Sequence, residues 1–236
     1  MRTFSIVIGT LAIVATLVPA SADAQSSDIN LRPGLTDQQF EALTSDLGAI
    51  LRFRQLGDNA ALGRGNVDVS LQFANARLGD STRSWSLSFP RVVARVGVND
   101  RVDIGAWGGV NADSNYGLVG VDTKIALLRQ GPARPVSLSV RPSVTSLVGP
   151  SDLWVGNASV DLSVSRAFGA LAPYAGIATT SSLGVEWSKD VDLDPVVDEG
   201  SLAYAGLSYR WRSLVVSADV EKGDLVTYGF RIGTRF

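Results

Sequence analysis

Eleven ionisable residues recur at alternate positions along the last two thirds of the chain: Asp68, Arg95, Asp103, Asp122, Lys124, Arg141, Asp161, Arg210, Asp219, Arg231 and Arg235. Groups of both signs at this spacing can pair, relay protons or hold a cation. The 236-residue chain contains no His and no Cys, which removes the usual general base, the usual transition-metal ligands, disulfides and thiolate chemistry. Lysine is confined to Lys124, Lys189 and Lys222. Lys124 stands two residues from Asp122, and this spacing suits an ion-paired wall residue better than a Ser-Lys nucleophile. Asp190, Asp192 and Asp194 have the alternation of a calcium loop. Pro195 stands where that loop needs its turn glycine and Ser201 where it needs its bidentate Glu, so the motif fails. No catalytic residue, metal site or cofactor is expected. The formal net charge of -2 gives a nucleic-acid partner no electrostatic support.

The elements that carry these charges are strands. From Asn66 to the end the hydropathy period is two, in ten runs, each with an apolar parity and a parity of Ser, Gly and charge. Val136-Ser-Leu-Ser-Val140 and Val226-Thr-Tyr-Gly-Phe230 are examples. Connections alternate, with short links near Asn99-Asp100, Gln130-Gly131, Gly169-Ala170 and Arg212-Ser213 and longer stretches at 75–90, 111–116, 147–153 and 182–199. Trp85 and Trp154 fall near one set of strand ends, and Phe168, Trp211 and Phe236 near the other. Together these features predict a closed antiparallel up-and-down transmembrane β-barrel of ten strands, or twelve if Leu51 to Arg54 opens a further pair. Glycines at 105–109 read as small lumenal residues that make room for Trp107 and for arginines.

Before the barrel, Arg2 and the apolar run from Phe4 to Val18 read as a signal peptide, cut after Ala24. Residues 25–64 form an N-terminal segment and 65–236 the barrel. Thr36 to Gln39 fits a capping box, with Leu35 and Phe40 as a hydrophobic staple and Phe40, Leu43 and Leu47 on one helix face. This helix is expected to cap the barrel's periplasmic mouth, with a plug inside the lumen as the alternative.

The last strand, Tyr228-Gly-Phe-Arg-Ile-Gly-Thr-Arg-Phe236, resembles the C-terminal assembly signal of bacterial outer-membrane proteins. Tyr228, Phe230, Ile232 and Phe236 match its alternating apolar positions and terminal aromatic, and Thr234 departs from it. The capped helix followed by Asp46-Leu-Gly-Ala resembles the start of a group of proteobacterial barrels of no assigned activity. These resemblances imply an outer-membrane location, lipid and lipopolysaccharide neighbours, and recognition by the barrel assembly machinery and periplasmic chaperones. The even strand count puts both termini in the periplasm.

The function expected is non-enzymatic: a narrow channel or a structural, integrity-maintaining barrel with an ion-paired lumen. The charges alternate in sign almost strand by strand, and Arg231 or Arg235 should meet Asp68 where the barrel closes. The alternatives are surface binding or adhesion through outer loops 75–90 and 182–199, and a His-independent enzyme. Added charge should be costly on the apolar parity and mild on the polar one.

Overall fold

Alternation of branched apolar and small polar residues favours extended chain with two unlike faces, and ten such segments in sequence pair with their neighbours until the last meets the first. The computed structural model has this form. It describes residues 29, 31, 33–78, 85–110, 114–189, 191–223 and 226–236. The expected signal peptide lies outside these residues, as do parts of the loops expected at 75–90, 111–116 and 182–199.

One helix, α1 (Asp37–Leu51), precedes ten strands: β1 (Val67–Leu78), β2 (Trp85–Gly97), β3 (Val102–Val110), β4 (Gly117–Leu128), β5 (Ser137–Val148), β6 (Leu153–Ser165), β7 (Leu171–Glu186), β8 (Val196–Trp211), β9 (Leu214–Lys222) and β10 (Val226–Arg235). Each strand pairs antiparallel with its sequence neighbours, and β1 pairs with β10, so the sheet has no free edge. The seam continues past the ladder: the Val67 amide donates to the Phe236 carbonyl at 2.7 Å and the Phe236 amide donates back at 3.0 Å.

The two parities separate cleanly. Val121, Val144, Val160, Ile177 and Leu207 are exposed on the outside, while Asp68, Gln72, Asp103, Asp122, Ser139, Ser163 and Arg231 are buried inside. This is the inverse of a soluble protein. A continuous apolar exterior around buried charges is suited to lipid, where a closed sheet pairs the strands' backbone groups. Trp154 lies over Gly156, where a Cβ would collide with its ring, and donates its indole N–H to Ser146 at 2.9 Å. Phe168, Tyr209, Trp211 and Phe236 are exposed near the opposite end.

Three expectations are corrected. The strands run further than the periodicity suggested, so the connection between β1 and β2 shrinks to 79–84 and that between β7 and β8 to 187–195. Leu51 to Arg54 adds no strand: Leu51 closes α1, and Arg52 follows in extended conformation as its C-cap. Most consequentially, α1 does not cap the periplasmic mouth. It lies inside the barrel against β5, β6, β7 and β8.

Ten strands enclose more space than wall side chains alone fill. The described part of the N-terminal segment runs through it from end to end. Ile29 exchanges hydrogen bonds with Asn115 at 3.0 and 3.1 Å, and the Leu31 amide donates to Asp152 at 2.7 Å; both partners lie in connections at the end away from the Val67–Phe236 seam. From there α1 descends, residues 52–66 continue through the lumen, and the Gly65 amide reaches the Gly97 carbonyl at 2.8 Å beside the short turns. Thus both ends of the barrel proper lie at the short-turn, periplasmic end, while Ile29 and Leu31, upstream of it, lie at the other.

The helix begins as its sequence dictates: Thr36 Oγ1 accepts from the Gln39 amide at 3.3 Å, and Gln39 Oε1 accepts from the Thr36 amide at 3.1 Å. Two glycines let it approach the wall. A Cβ on Gly48 would collide with Ser182, and one on Gly184 with Thr44.

The charged lumen as candidate functional site

The lumen has two unlike halves. On the side of α1 it is apolar: Phe40, Leu47, Leu51 and Phe53 pack against Trp107, Leu118, Leu153 and Val155. Toward the turns it is ionic. Phe53 marks the boundary, its ring centroid 4.4 Å from that of Trp107 and its face covered by the guanidinium groups of Arg141 at 5.1 Å and Arg95 at 5.7 Å. Gly120 permits this arrangement, since a Cβ there would enter the Trp107 ring.

Below Phe53 the structure brings the wall charges into three groups. At the seam, Asp68 accepts from Arg231 and, at 2.7 Å, from Arg235. Across β2, β4 and β5, Asp122 lies 2.7 Å from Arg95 and 3.5 Å from Arg141. Across β3 and β4, Lys124 lies 2.7 Å from Asp103, the residue directly opposite it in the ladder. Lys124 is therefore paired with Asp103 and not with Asp122, its neighbour on the same face of the strand. Gly105 leaves room for the Arg95–Asp122 pair, because a Cβ there would meet both side chains.

The other three residues go elsewhere. Asp161 stands opposite Arg141 in the ladder but accepts a 2.5 Å hydrogen bond from the Tyr204 hydroxyl. Arg210, partly exposed at the mouth, reaches Asp58 at 2.8 Å. Asp219 takes Arg54 at 2.9 Å.

These last partners belong to the threaded segment, which sequence reasoning missed as part of the site. Arg54 bridges Asp219 and, at 3.3 Å, Glu221, and Arg52 also pairs with Glu221. Further along, the Asn59 amide donates to Ser165 Oγ at 2.9 Å, Lys124 Nζ to the Ala60 carbonyl at 2.7 Å, and the Leu62 amide to Asp103 at 3.1 Å. Wall side chains thus satisfy backbone groups that have no ladder of their own. The signal was present in the brief alternation Leu51-Arg-Phe-Arg54, two arginines in a stretch otherwise free of charge.

The cavity left among Gln55, Asp68, Arg95, Lys124, Arg141 and Arg231 measures about 10 Å³, the space of one water. The expectation that added charge is mild on the polar parity is overturned by the same packing: Ser217 is buried, with its Oγ 3.0 Å from that of Ser208 and near Gly57 of the threaded segment. Among the described residues no cluster of acids is arranged to hold a metal ion; Asp190 of the calcium-like run lies outside them.

No family model and no curated protein sequence matches this chain. Solved structures similar to it are barrels. The attachment invasion locus protein Ail of Yersinia pestis is 12% identical over 73% of this chain and 99% of its own, with a TM-score of 0.35. The KdgM porin is 10% identical over 72% and 99%, with a TM-score of 0.37. Omp33 of Acinetobacter baumannii is 10% identical over 73% and 98%, with a TM-score of 0.36. Likeness at this level carries no activity across. The chain's own wall, apolar outside, charged inside and closed without an edge, makes it an outer-membrane β-barrel in contact with lipid.

Proposed function

We propose that this protein is a plugged, non-enzymatic barrel whose role is structural, maintaining the integrity of the outer membrane. One observation carries the proposal: its own N-terminal segment fills the lumen and is riveted to the wall by buried ion pairs of Arg52 and Arg54 with Asp219 and Glu221. Among the described residues an apolar seal fills one half and an ion-paired core the other, which favours a barrel without an open pore. Of the two forms expected from the sequence, channel or structural element, the packing favours the second. The chain supplies no histidine or cysteine for catalysis, and lumenal hydroxyls such as Ser143 and Ser159 are tied to each other at 2.7 Å.

Planar-bilayer recording of the pure protein tests this reading. The expected trace is silent or shows brief, small openings. A large, stable, porin-like conductance overturns it.

A second reading, surface binding, draws on the β7–β8 hairpin. Both strands have 16 residues, more than the ~9–11 needed to cross a bilayer. The hairpin exposes Trp187 and Val197 at about 60%. Tyr228, Phe230, Ile232 and Phe236 all face outward, which suits the further proposal that assembly machinery recognises β10, with lipopolysaccharide around the finished barrel.

A further inference from the structure

The two ends of the barrel carry opposite charge. Among the described residues, the connections at the α1 end (114–116, 149–152, 187–189, 191–195 and 223) contain three acids, Asp152, Asp192 and Asp194, and one base, Lys189. The four turns at the other end, residues 98–101, 129–136, 166–170 and 212–213, contain five arginines and a single acid, Asp100. Each of the four turns contributes at least one: Arg101, Arg129 and Arg134, Arg166, and Arg212. All five are exposed. There is no lysine among them.

Three features show that the turn-end charge is built into the fold. Arg166 stacks on the exposed Phe168 ring at 4.7 Å and Arg212 on the exposed Trp211 ring at 5.4 Å, so two guanidinium groups are held at the level of outward-facing aromatics. Such aromatics sit at the boundary between acyl chains and headgroups. Gln130 then clamps two neighbouring turns together, accepting from the Ala167 amide at 2.7 Å and donating to the Ala167 carbonyl at 3.0 Å, which brings the bases of the second and third turns alongside each other. Finally, Arg212 is the one non-glycine residue with positive φ among those described, at 55°. A two-residue hairpin turn prefers Gly or Asn there, and an arginine is retained at a conformational cost.

We infer that the turn-end rim is a binding collar for the phosphate groups of anionic phospholipids in the periplasmic leaflet. A planar guanidinium binds phosphodiester oxygens in bidentate fashion, and the stacked aromatic fixes its height against the bilayer. Only one of the five arginines, Arg129, has an acidic partner among the described residues: Asp100, 3.4 Å away and itself exposed. Near a charged membrane surface each such base strengthens association by about five-fold, and salt weakens it.

The test uses the full barrel refolded into two kinds of vesicle, pure phosphatidylcholine and phosphatidylcholine containing phosphatidylglycerol. The unfolding midpoint and the retained lipid, counted by native mass spectrometry, are compared between them. The expected result is a higher midpoint and retained phosphatidylglycerol in the anionic vesicles, both abolished by high salt and by the triple variant Arg134→Gln, Arg166→Gln, Arg212→Asn. Asn at 212 keeps the turn conformation accessible. Free glycerol phosphate added to neutral vesicles is expected to reproduce neither effect; if it reproduces both, the collar takes soluble phosphates and not lipid. Equal behaviour of the unaltered protein in the two vesicles, or an undiminished preference in the triple variant, overturns the proposal. Failure to insert into either vesicle would instead count against the barrel itself.

Discussion

The guanidinium of Arg91, on β2, donates to the Arg52 carbonyl at 2.8 Å and also to the carbonyl of Ile50, so a side chain of the wall caps the C-terminus of α1. Helix ends carry unpaired carbonyls and partial negative charge, and a cation placed there answers both. Arg91 is buried, and it ties the end of α1 to β2 through backbone carbonyls.

Arg91→Met keeps the bulk and removes the donors. It is expected to cost about 1–3 kcal/mol, the penalty for stranding buried acceptors. Hydrogen exchange separates this local loss from global unfolding. The amides of the last turn of α1 should exchange faster while those of β1 and β10 stay protected. Uniform acceleration everywhere, or none, would contradict a capping role.

Arg54→Ala tests the rivet between plug and wall. It leaves Asp219 with no cation, only the Tyr174 hydroxyl 3.4 Å away and the Gly229 amide, and deprives Glu221 of one of two partners. Removing one member of a buried pair typically costs about 3–5 kcal/mol. Adding Asp219→Asn should recover part of that loss, since the stranded charge goes with it. Bilayer recordings should show flickering conductance in the single variant and less in the double. If Arg54→Ala is as silent and as stable as the unaltered protein, the pairs do not hold the plug.

The barrel wall was legible because each strand residue faces either lipid or lumen, and a period of two leaves no third choice. Asp68 could be matched in advance with Arg231 or Arg235 because closure brings the last strand beside the first. Partner identities were not legible. Asp122 and Lys124 share a face of β4, and only the register with β3 decides that Lys124 goes to Asp103. Placement of α1 was hidden for a similar reason. The stripe of Phe40, Leu43 and Leu47 looks the same on a mouth helix and on a lumenal one, whereas the clearance that admits it inside depends on Gly184 lying opposite Thr44. Loop lengths were overestimated because strands such as β7 and β8 continue past the bilayer with weakened alternation.

Depth dependence can check the lipid belt. Val160 lies midway along β6 and is half exposed on the outer wall; Leu214 begins β9 beside a turn. In lipid vesicles Val160→Arg should destabilise by about 2–4 kcal/mol and Leu214→Arg by about 0–1 kcal/mol, because the cost of a charge falls from midplane to interface. Denaturant titration of both variants reads the difference. The reverse ranking would mean that the membrane does not girdle the barrel where its apolar exterior implies.

The direction of threading gives the sharpest prediction. Since the chain has no cysteine, single substitutions can be labelled without background. Gln38 is exposed in the first turn of α1, Lys189 is exposed in the β7–β8 connection, and Arg64 is exposed where the threaded segment leaves the lumen. A maleimide carried on a polymer too large to pass porins reaches only the outer face of intact cells. Gln38→Cys and Lys189→Cys are expected to react, and Arg64→Cys only after the outer membrane is permeabilised. The physical reason is continuity: Ile29 and Leu31 are tied to Asn115 and Asp152 at the end away from the short turns, and α1 follows directly from them. Protection of Gln38→Cys while Lys189→Cys reacts would remove α1 from the outer mouth. Reaction of Arg64→Cys alone would reverse the barrel in the membrane, and the arginine-rich turns would then face outward.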